Sequence, residues 1–585
     1  MSYILGISAF YHDSAACLLK NGKIVAAAQE ERFSRIKHDQ QLPKLAIAFC
    51  LKEANIDISK VDLVVFYEKP FLKFDRIINT IQKTTPFAFD FFRKAIKSWT
   101  KIKLWIPVVI KNELDYHKEI IFSEHHEAHA AGSFFTSPYL KSAIITIDGV
   151  GEKACTTIGI GEGNKVTILK EQHYPHSFGL LYSAFTQYCG FRVNSGEYKL
   201  MGLAPYGKPI YKELILDNFV TITKEGEAIL NLKYFSFDKG NSTINKEFCE
   251  VFKRPARLPD GEIDAFYKDV ASSIQAVTED FIITLASYAK EITGLDSLCM
   301  SGGVALNCKA NGELIVKEDI FKNIWVQPAS GDSGTAVGAA YIGWYHYLEN
   351  QREVLNNSLI DQVYLGPSFK DEEIETLLRK YSITYSYQNK DVLCDTVSTY
   401  LENKMIIGWF QGRMEFGPRA LGNRSILANP LYEDMKRHVN MSIKKREGFR
   451  PFAPIVLKEK ANDWFANCKQ SKYMLFTFKS DKYSQIPSCI HEDSTARVQT
   501  LEKEDNPLLH QLISSFDEKT QCPVLINTSF NVRGEPIVAT PKDALKCFFQ
   551  TDMDVLVLGN HVILKTENTS NIDSELTKIQ EYELD

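Results

Sequence analysis

The stretch SEHHEAHAAG, residues 123–132, places His125 and His129 four positions apart, just before an apolar run, SAIITID, that ends in Asp148. Residues four apart share one face of a helix, with Cβ atoms roughly 5–6 Å apart, so two imidazoles so placed can share one cation. Two unrelated polar residues on a wet helix would show the same spacing, and an isolated H-x-x-x-H leaves both readings open. A second acid, Asp332, lies in the glycine-rich loop SGDSG. Both acids are expected at the carboxyl ends of strands, where open α/β sheets bind ligands. If those ends converge on the histidines, two imidazoles and two carboxylates form a site that suits Fe(II), Zn or Mn better than Ca or a thiolate-preferring metal. Glu127 lies between the histidines but out of H-E-x-x-H register, which argues against a metalloprotease.

Two loops have the make-up of phosphate cradles. Ser301-Gly302-Gly303-Val304 follows an apolar strand, and Gly331, within Ser330–Gly334, opens a helical pattern. Glycine lets the backbone approach an anion, and a helix N-terminus offers free N–H groups. A tight turn needing positive φ explains a single Gly-Gly pair equally well, but two such loops favour a nucleotide cleft between two lobes. The second half of the chain gathers cations instead. GRMEFGPRALGNRSIL and IKKREGFRPFAP contribute Arg413, Arg419, Arg424, Lys444, Arg446 and Arg450, with Arg497 and Arg533 further on. Glycine and proline interleave them, so they do not form a solvated helix face. Guanidinium forks match phosphate and carboxylate oxygens, which points to an anionic-substrate pocket.

These patches must be held by more than one domain, because 585 residues exceed a single core. A net charge of −5 and the absence of an RNA-binding signature argue against nucleic acid as a partner. No apolar run reaches the eighteen or so residues of a membrane span, and no signal segment precedes YILGISAF. Twelve cysteines without a C-x-x-C pair suggest a reducing, cytoplasmic setting, with Cys17, Cys155 and Cys299 as buried apolar residues. YILGISAF followed by a hairpin turned at Asn21-Gly22 recurs as SAIITID followed by a hairpin turned at Gly163-Asn164. An internal duplication would produce this recurrence, as would two ordinary hairpins of a mixed sheet. Residues 70–120 read as an inserted helical hairpin, whose aromatic part, 87–105, would allow a homodimer. A long amphipathic helix is expected over 264–293, and a new unit near Tyr364.

HDSAA, HHEAHAAG, DGVGE, GEYKLMGLAPYG, SGGVALN and SGDSGTAVGAA, then GRMEFGPRALGNRSIL, REGFRPFAP, HEDSTARVQT and NTSFNVRGEP, closely resemble the NodU/CmcH-type O-carbamoyltransferase family over roughly residues 2–565. Motifs in this order are specific where any one alone is not. The resemblance implies an α/β protein. Residues 1–360 would form a duplicated ribonuclease-H-like domain of the actin/hexokinase-like ATPase type. Residues 361–565 would form a YrdC-like α/β domain; the composition of 566–585, acidic and short of aromatics, points to a mobile tail.

It also implies chemistry. The second domain would use ATP and carbamoyl phosphate, with Mg in attendance, to make carbamoyl-adenylate. The first would transfer the carbamoyl group to a hydroxyl of a small metabolite. His125, His129, Asp148 and Asp332 would be ligands of a divalent metal, typically iron. Gly149, Gly151, Gly302, Gly303, Asn307 and Gly331 would approach the nucleotide in the first domain. The basic set Arg413, Arg419, Arg424, Lys444, Arg446, Arg450, Arg497 and Arg533, with Asn527 and Ser529, would hold carbamoyl phosphate and ATP in the second. A general base is needed at the acceptor, and His12 or Asp13 is the candidate, the alternative being a turn pair that caps the hairpin. A sugar-type kinase of the same fold and a nucleotide-gated binding protein without chemistry are the rival readings.

Overall fold

The computed structural model describes the chain except for residues 85–92, 94, 95, 98, 238–241, 355–357, 570, 571 and 579–585. Two compact units emerge, one of residues 1–30 and 38–356, the other of 31–37 and 357–584. The expected first domain, 1–360, is thus interrupted: residues 31–37 leave it and belong to the second unit.

The first unit contains two five-stranded sheets. β1 (Tyr3–Ser8), β2 (Ala15–Lys20) and β3 (Lys23–Gln29) run antiparallel, while β4 (Leu63–Phe66) adds parallel to β1 and β5 (Glu119–Phe122) parallel to β4, giving the order β3-β2-β1-β4-β5. The second sheet begins with β6 (Lys141–Ile147), β7 (Ala154–Glu162) and β8 (Lys165–His173), again antiparallel. After a small hairpin of β9 (Val220–Ile222) and β10 (Ala228–Leu230), the sheet is completed by parallel β11 (Ser297–Ser301) and β12 (Asn323–Val326), in the order β12-β11-β6-β7-β8. From the hairpin edge inward both sheets run third, second, first, fourth, fifth strand. This repeated topology is the duplicated ribonuclease-H-like arrangement of actin/hexokinase-like folds. The first hairpin turns through Asn21 (φ 49°) and Gly22 (φ 80°), the pair of left-handed residues that matches the twist of a tight hairpin.

Three helices matter to the site: α1 (His125–Thr136), α2 (Ala265–Thr293) and α3 (Asp332–Tyr341). The long helix α2 starts where the Asp264 carboxylate accepts the Tyr267 N–H and stops at Gly294 in left-handed backbone. All of α3 is buried, as is all of α1 except Glu127, so these are core helices without a wet face. Their sequences explain how they fit. A Cβ on Gly338 would lie 1.8 Å from the Ala128 carbonyl oxygen, and one on Gly6 of β1 would lie 1.9 Å from that of Ala336. Only glycine permits such contact between backbones.

Within the expected insertion, helices occupy Pro70–Thr84 and Ile106–Leu114. The aromatic stretch 87–105, read as a dimer surface, lies partly outside the described residues. No helix among the described residues is long and apolar enough to cross a membrane.

The second unit is an α/β domain on a mixed sheet. Its strands are β13 (Ser386–Tyr387), β14 (Ile407–Phe410), β15 (Arg424–Ala428), β16 (Ala453–Leu457), the separate pair β17 (Thr477–Lys479) and β18 (Thr495–Arg497), then β19 (Gln499–Leu501), β20 (Val524–Ser529), β21 (Val555–Leu558) and β22 (His561–Leu564). Eight of them form one sheet, ordered β13-β22-β21-β14-β15-β20-β16-β19. The tail corrects its expectation as far as it is described. Leu576 is fully buried, Asn568 exchanges hydrogen bonds with the Thr384 backbone, and Glu575 accepts from Tyr381 and Lys542. The acids reach partners on the unit, so this segment is docked.

Arg424 lies at the centre of the sheet with no exposed surface. Its guanidinium donates to the carbonyls of Gln411 (2.5 Å), Asn423 (3.0 Å), Pro367 (2.9 Å) and Gly412 (3.3 Å), and sits 3.6 Å from the Phe410 ring centroid. Glu415 gathers the other side of the same loop: one carboxylate oxygen accepts the N–H groups of Leu421, Asn423 and Arg424. Burial, only partly offset by Glu415, pushes Arg424 down to about 9.

Two outcomes follow from this packing. Gly338→Ala forces α1 and α3 apart and costs about 3 kcal/mol, read as a lower unfolding midpoint in denaturant. Arg424→Met strips four carbonyls and Glu415 of their cation and costs about 3–5 kcal/mol by the same measurement.

Candidate functional site

The first lobe of the site is the start of α1. Glu152 lies in the turn after β6, and its carboxylate accepts the His125 N–H at 3.0 Å and the Lys69 N–H at 2.7 Å. This satisfies a helix N-terminus that would otherwise be buried with open donors. His125 and His129, one turn apart, then project from the same face, their ring centroids 4.6 Å apart. Asp148 directly follows β6 and Asp332 begins α3.

These four side chains meet. His125 Nε2 is 3.0 Å from Asp148 Oδ2 and 3.8 Å from Asp332 Oδ1, and His129 Nε2 is 3.9 Å and 3.7 Å from the same two oxygens. Atoms bound at about 2.1 Å to a common ion stand roughly 3.0–3.5 Å apart, so small adjustments bring this set onto one cation. The supporting contacts orient the ligands. His129 Nδ1 lies 3.1 Å from Ser301 Oγ, which leaves Nε2 facing the carboxylates. Asp148 accepts the Gly303 N–H at 3.0 Å on Oδ1, which leaves Oδ2 facing the histidines. His129 Nε2 and Asp332 Oδ2 are buried with no hydrogen-bond partner, a cost that a ligated ion removes.

The electrostatics agree with a site built for positive charge. Burial disfavours a charged His125, yet the bond to Asp148 and the charge of Asp332 push it up to about 9. Burial likewise opposes ionisation of Asp148, but His125 and then His129 hold it well below the usual carboxylate range. His126 differs: burial and the neighbouring histidines press it well below its usual value, and its Nδ1 is 2.6 Å from Thr146 Oγ1, away from the cluster.

Around the cluster the glycines divide by role. Nothing lies within 4 Å of a Cβ placed on Gly149 or Gly331, and only Asp148 Oδ1, at 3.0 Å, meets one on Gly303. Space is therefore open on the Cβ side of Gly149 and Gly331, while the Gly303 N–H is already engaged by Asp148. Gly302, at φ 95°, would collide with β6, and Gly151 packs against His125 and His126, so both are close-approach positions. Asn307 does not face this space. Its amide pairs with Gln275 in both directions at 3.0 Å and accepts the Ala310 N–H, which makes it the cap of the following helix.

His12 and Asp13 stand at the rim. His12 Nδ1 is 3.1 Å from Asp13 Oδ2, and its Nε2 is 3.7 Å from Asp332 Oδ2. Burial works against protonation of His12, but Asp332 and then Asp13 raise it to about 9. Glu152 and His38 were not singled out in the sequence, and Ser301 was read there only as part of a phosphate loop. Ser301 and Glu152 border glycines in motifs already singled out, SGGV and DGVGE, and that adjacency was a usable signal. His38 carried none.

In the second unit the basic residues do not act alike. Arg424 and Arg413 are turned to backbone: Arg413 donates to the carbonyls of Leu365 (2.7 Å) and Gly366 (3.1 Å). Both were expected to hold phosphate; here the buried Arg424 guanidinium and the half-buried Arg413 donate to backbone carbonyls and tie loops together. Lys444 Nζ, buried, donates to the Ser529 carbonyl (2.5 Å) and hydroxyl (3.1 Å) and to Asn531 Oδ1 (2.6 Å) and carbonyl (3.0 Å). Burial and neighbouring Arg446 push its amine well below the usual value. Arg450 and Arg533 approach opposite oxygens of Glu447, at 2.7 Å and 3.6 Å. Arg446 donates to Asn440 Oδ1 at 2.7 Å, while Asn527 is buried and donates to Gln499. Arg419 and Arg497 are partly exposed. Lys444, Ser529 and Arg533 are thus neighbours, with Arg450 joined to Arg533 through Glu447.

Comparison with known proteins gives these two units a common identity. The family model described as Carbamoyltransferase N-terminus matches residues 3–341, and that described as Carbamoyltransferase C-terminus matches residues 398–565. An uncharacterized protein of Synechocystis sp. is 46% identical over 617 residues, covering 100% of both chains. Nodulation protein NolNO of Sinorhizobium fredii is 34% identical over 563 residues, 95% of this chain and 79% of its own. Among solved structures, HypF of T. kodakarensis aligns with 60% of this chain and 48% of its own at 17% identity and a TM-score of 0.34. Matched through its N-terminal and its C-terminal part alike, the chain belongs to the carbamoyltransferase family.

Proposed function

We propose that this carbamoyltransferase is an ATP-dependent O-carbamoyltransferase acting on a hydroxyl of a small metabolite. The observation that carries the reading is the presence of both family halves in one chain, at residues 3–341 and 398–565. A kinase of the same fold would have no use for the second.

In this proposal the second unit is the YrdC-like, adenylate-forming half. Carbamoyl phosphate and ATP, with Mg, yield carbamoyl-adenylate, pyrophosphate and phosphate. Arg419, Arg446, Arg450, Arg497 and Arg533 bind the anionic groups, while Lys444 and Ser529 hold the wall against which they lie. In the first unit, the uncrowded glycines Gly149 and Gly331, with Gly303 beside them, line the place of the adenylate phosphate. His125, His129, Asp148 and Asp332 hold a divalent ion, and their imidazole–carboxylate set fits Fe(II), Zn or Mn. When bound, that ion supplies positive charge to the phosphate of the departing AMP. The His12 and Asp13 pair at the rim supplies the group, one or the other, that receives the proton of the acceptor hydroxyl. The acceptor oxygen bonds to the carbamoyl carbon, and the bond from that carbon to the adenylate oxygen breaks.

Incubation of the purified chain with ATP, carbamoyl phosphate and an alcohol panel should yield AMP and pyrophosphate together with a carbamoylated product. ADP as the only nucleotide product would overturn the proposal in favour of a kinase. His129→Ala should lose the bound divalent metal, measured by elemental analysis, and carbamoyl transfer should fall by at least about 100-fold. Formation of carbamoyl-adenylate in the second unit should persist in the same variant.

A further inference from the structure

Three cations of the inserted segment gather near the His/Asp cluster, and only one of them has an acid. Lys73 and Arg76 lie three apart on one face of the helix Pro70–Thr84, and Lys103 begins the short turn Lys103–Trp105. Packing joins the two pieces: Trp99 is buried against Ile77 and Ile81, with Phe74 and Leu104 against them. Lys103 Nζ stands 5.5 Å from the centre of the Trp99 ring. Lys73, itself buried, donates to Glu68 at 2.5 Å. Arg76 donates from one nitrogen to the Gly151 carbonyl at 2.7 Å and lies 5.3 Å from the Tyr174 ring centre. Among the described residues, neither Arg76 nor Lys103 forms an ion pair with an acid. Two half-buried positive charges thus stand without a carboxylate.

The loop that carries His12 connects this group to the cluster. Tyr11 has 40% of its surface exposed. Its ring centre lies 4.4 Å from that of His12 and 5.0 Å from Lys73 Nζ. The loop is pinned in place. The Phe10 N–H donates to the Gln40 carbonyl at 2.8 Å, the Ser14 N–H to that of Asp39 at 2.9 Å, and Asp13 Oδ1 lies 2.8 Å from His38 Nδ1. Burial, then the charges of Asp332 and Asp148, push the Tyr11 phenol up, while Arg76 opposes them. Tyr11 therefore stands between the acids of the cluster and the cations of the insertion.

Like charges brought together out of water are unfavourable. Burial and then the charge of Lys73 push the Lys103 ammonium down to about 8, with Glu68 opposing the shift and Arg76 adding to it. The acids of the cluster do not account for the arrangement, because the divalent ion proposed there already balances them. A surface of one charge sign raises the local concentration of opposite ions, and a bound anion would relieve the repulsion.

We propose that Arg76 and Lys103 hold an anionic group of the acceptor, a carboxylate or a phosphate, so that the hydroxyl to be carbamoylated lies across Tyr11, at the cluster. The inference rests on reading the cluster as the carbamoyl-transfer centre. Hydroxyl and anion then sit at opposite ends of the acceptor, several bonds apart, as in a sugar acid or a sugar phosphate. The exposed Tyr11 ring offers a wall to the carbon frame between them. The ammonium acts as a point charge for either anion, and the guanidinium adds a donor fork.

The test compares three molecules of one frame: D-glucose, D-glucuronate and D-glucose 6-phosphate. With ATP and carbamoyl phosphate, the full chain should carbamoylate one of the charged sugars with kcat/KM at least about 10-fold above that for glucose. Whichever charged sugar leads identifies the anion as carboxylate or phosphate. Lys103→Glu should lower that ratio by about 10-fold or more, Lys103→Met by less, and Lys103→Arg should preserve it. Lys111→Glu, the same change of charge at an exposed position of the helix Ile106–Leu114, should also preserve it. A second readout needs no transfer. Modification of Lys103 by an amine-directed reagent, followed by peptide mass, should slow severalfold with the preferred charged sugar and not with glucose. Unslowed labelling, with AMP still formed and neither charged sugar preferred, would overturn the inference and leave the transfer reading intact. Slowed labelling without a preference in transfer would also overturn it, since that anion site does not serve the acceptor. So would a preference that survives Lys103→Glu or falls equally in Lys111→Glu. Absence of both AMP and carbamoylated sugar would refute the transfer reading and the inference with it, and slowed labelling would then mark an anion site of another reaction.

Discussion

The first unit depends on two helices touching through bare backbone. With Gly338 against the Ala128 carbonyl, α1 and α3 approach closer than any pair of side chains would permit. That contact brings the one-turn pair His125 and His129, at the start of α1, within reach of Asp332, at the start of α3. Helix N-termini carry partial positive charge, so two of them aimed at one point would repel a cation. The chain offsets this by putting carboxylates at both starts: Glu152 on the N–H of His125, and Asp332 as the first residue of its helix. Asp148 from β6 adds further negative charge. The cluster is therefore a balance of helix ends and acids.

The second unit shows how poorly residue type alone predicts which cation meets a ligand. Arg424 and Lys444 are both buried among carbonyls, and each is pushed below its ordinary range by burial. A buried guanidinium with four backbone acceptors is committed to the fold, and so is unable to swing toward a phosphate. Arg450 and Arg533 instead approach a shared carboxylate, Glu447.

Much of this was legible in the sequence because it depended on local rules. The Asn21-Gly22 turn, the strand ends at Asp148 and Ser301, the helix over 265–293 and the H-x-x-x-H spacing are all written into neighbouring residues. The recurrence of strand and hairpin pointed correctly to duplication, although only the strand orders distinguish it from two ordinary hairpins. Long-range relations were invisible. Nothing near Arg413 or Arg424 says that Leu365 or Pro367 will offer carbonyls to them, and nothing near Asn307 announces Gln275. His38 belongs with these. It sits in a polar stretch with no pattern, and its place beside Asp13 is set by loop-to-loop hydrogen bonds. The tail misled for a related reason: acidity and few aromatics suggest mobility, but among the described residues Leu576 and Asn568 are buried.

The seven residues 31–37 that leave the first unit also bear on how such a chain could be divided. Arg32 donates to the Gly417 carbonyl, and Arg35 donates to the carbonyls of Pro536 and Ile537 and to Glu535, all within the second unit. A gene broken near codon 360 would therefore give a downstream product missing a piece of its own interior, with Glu535 left buried and deprived of its guanidinium. The upstream product would carry a basic stub with no home. Fission of this polypeptide into two freely assorting enzymes is thus opposed by its threading, and a free-standing version of the downstream half would have to supply its own substitute for Arg35.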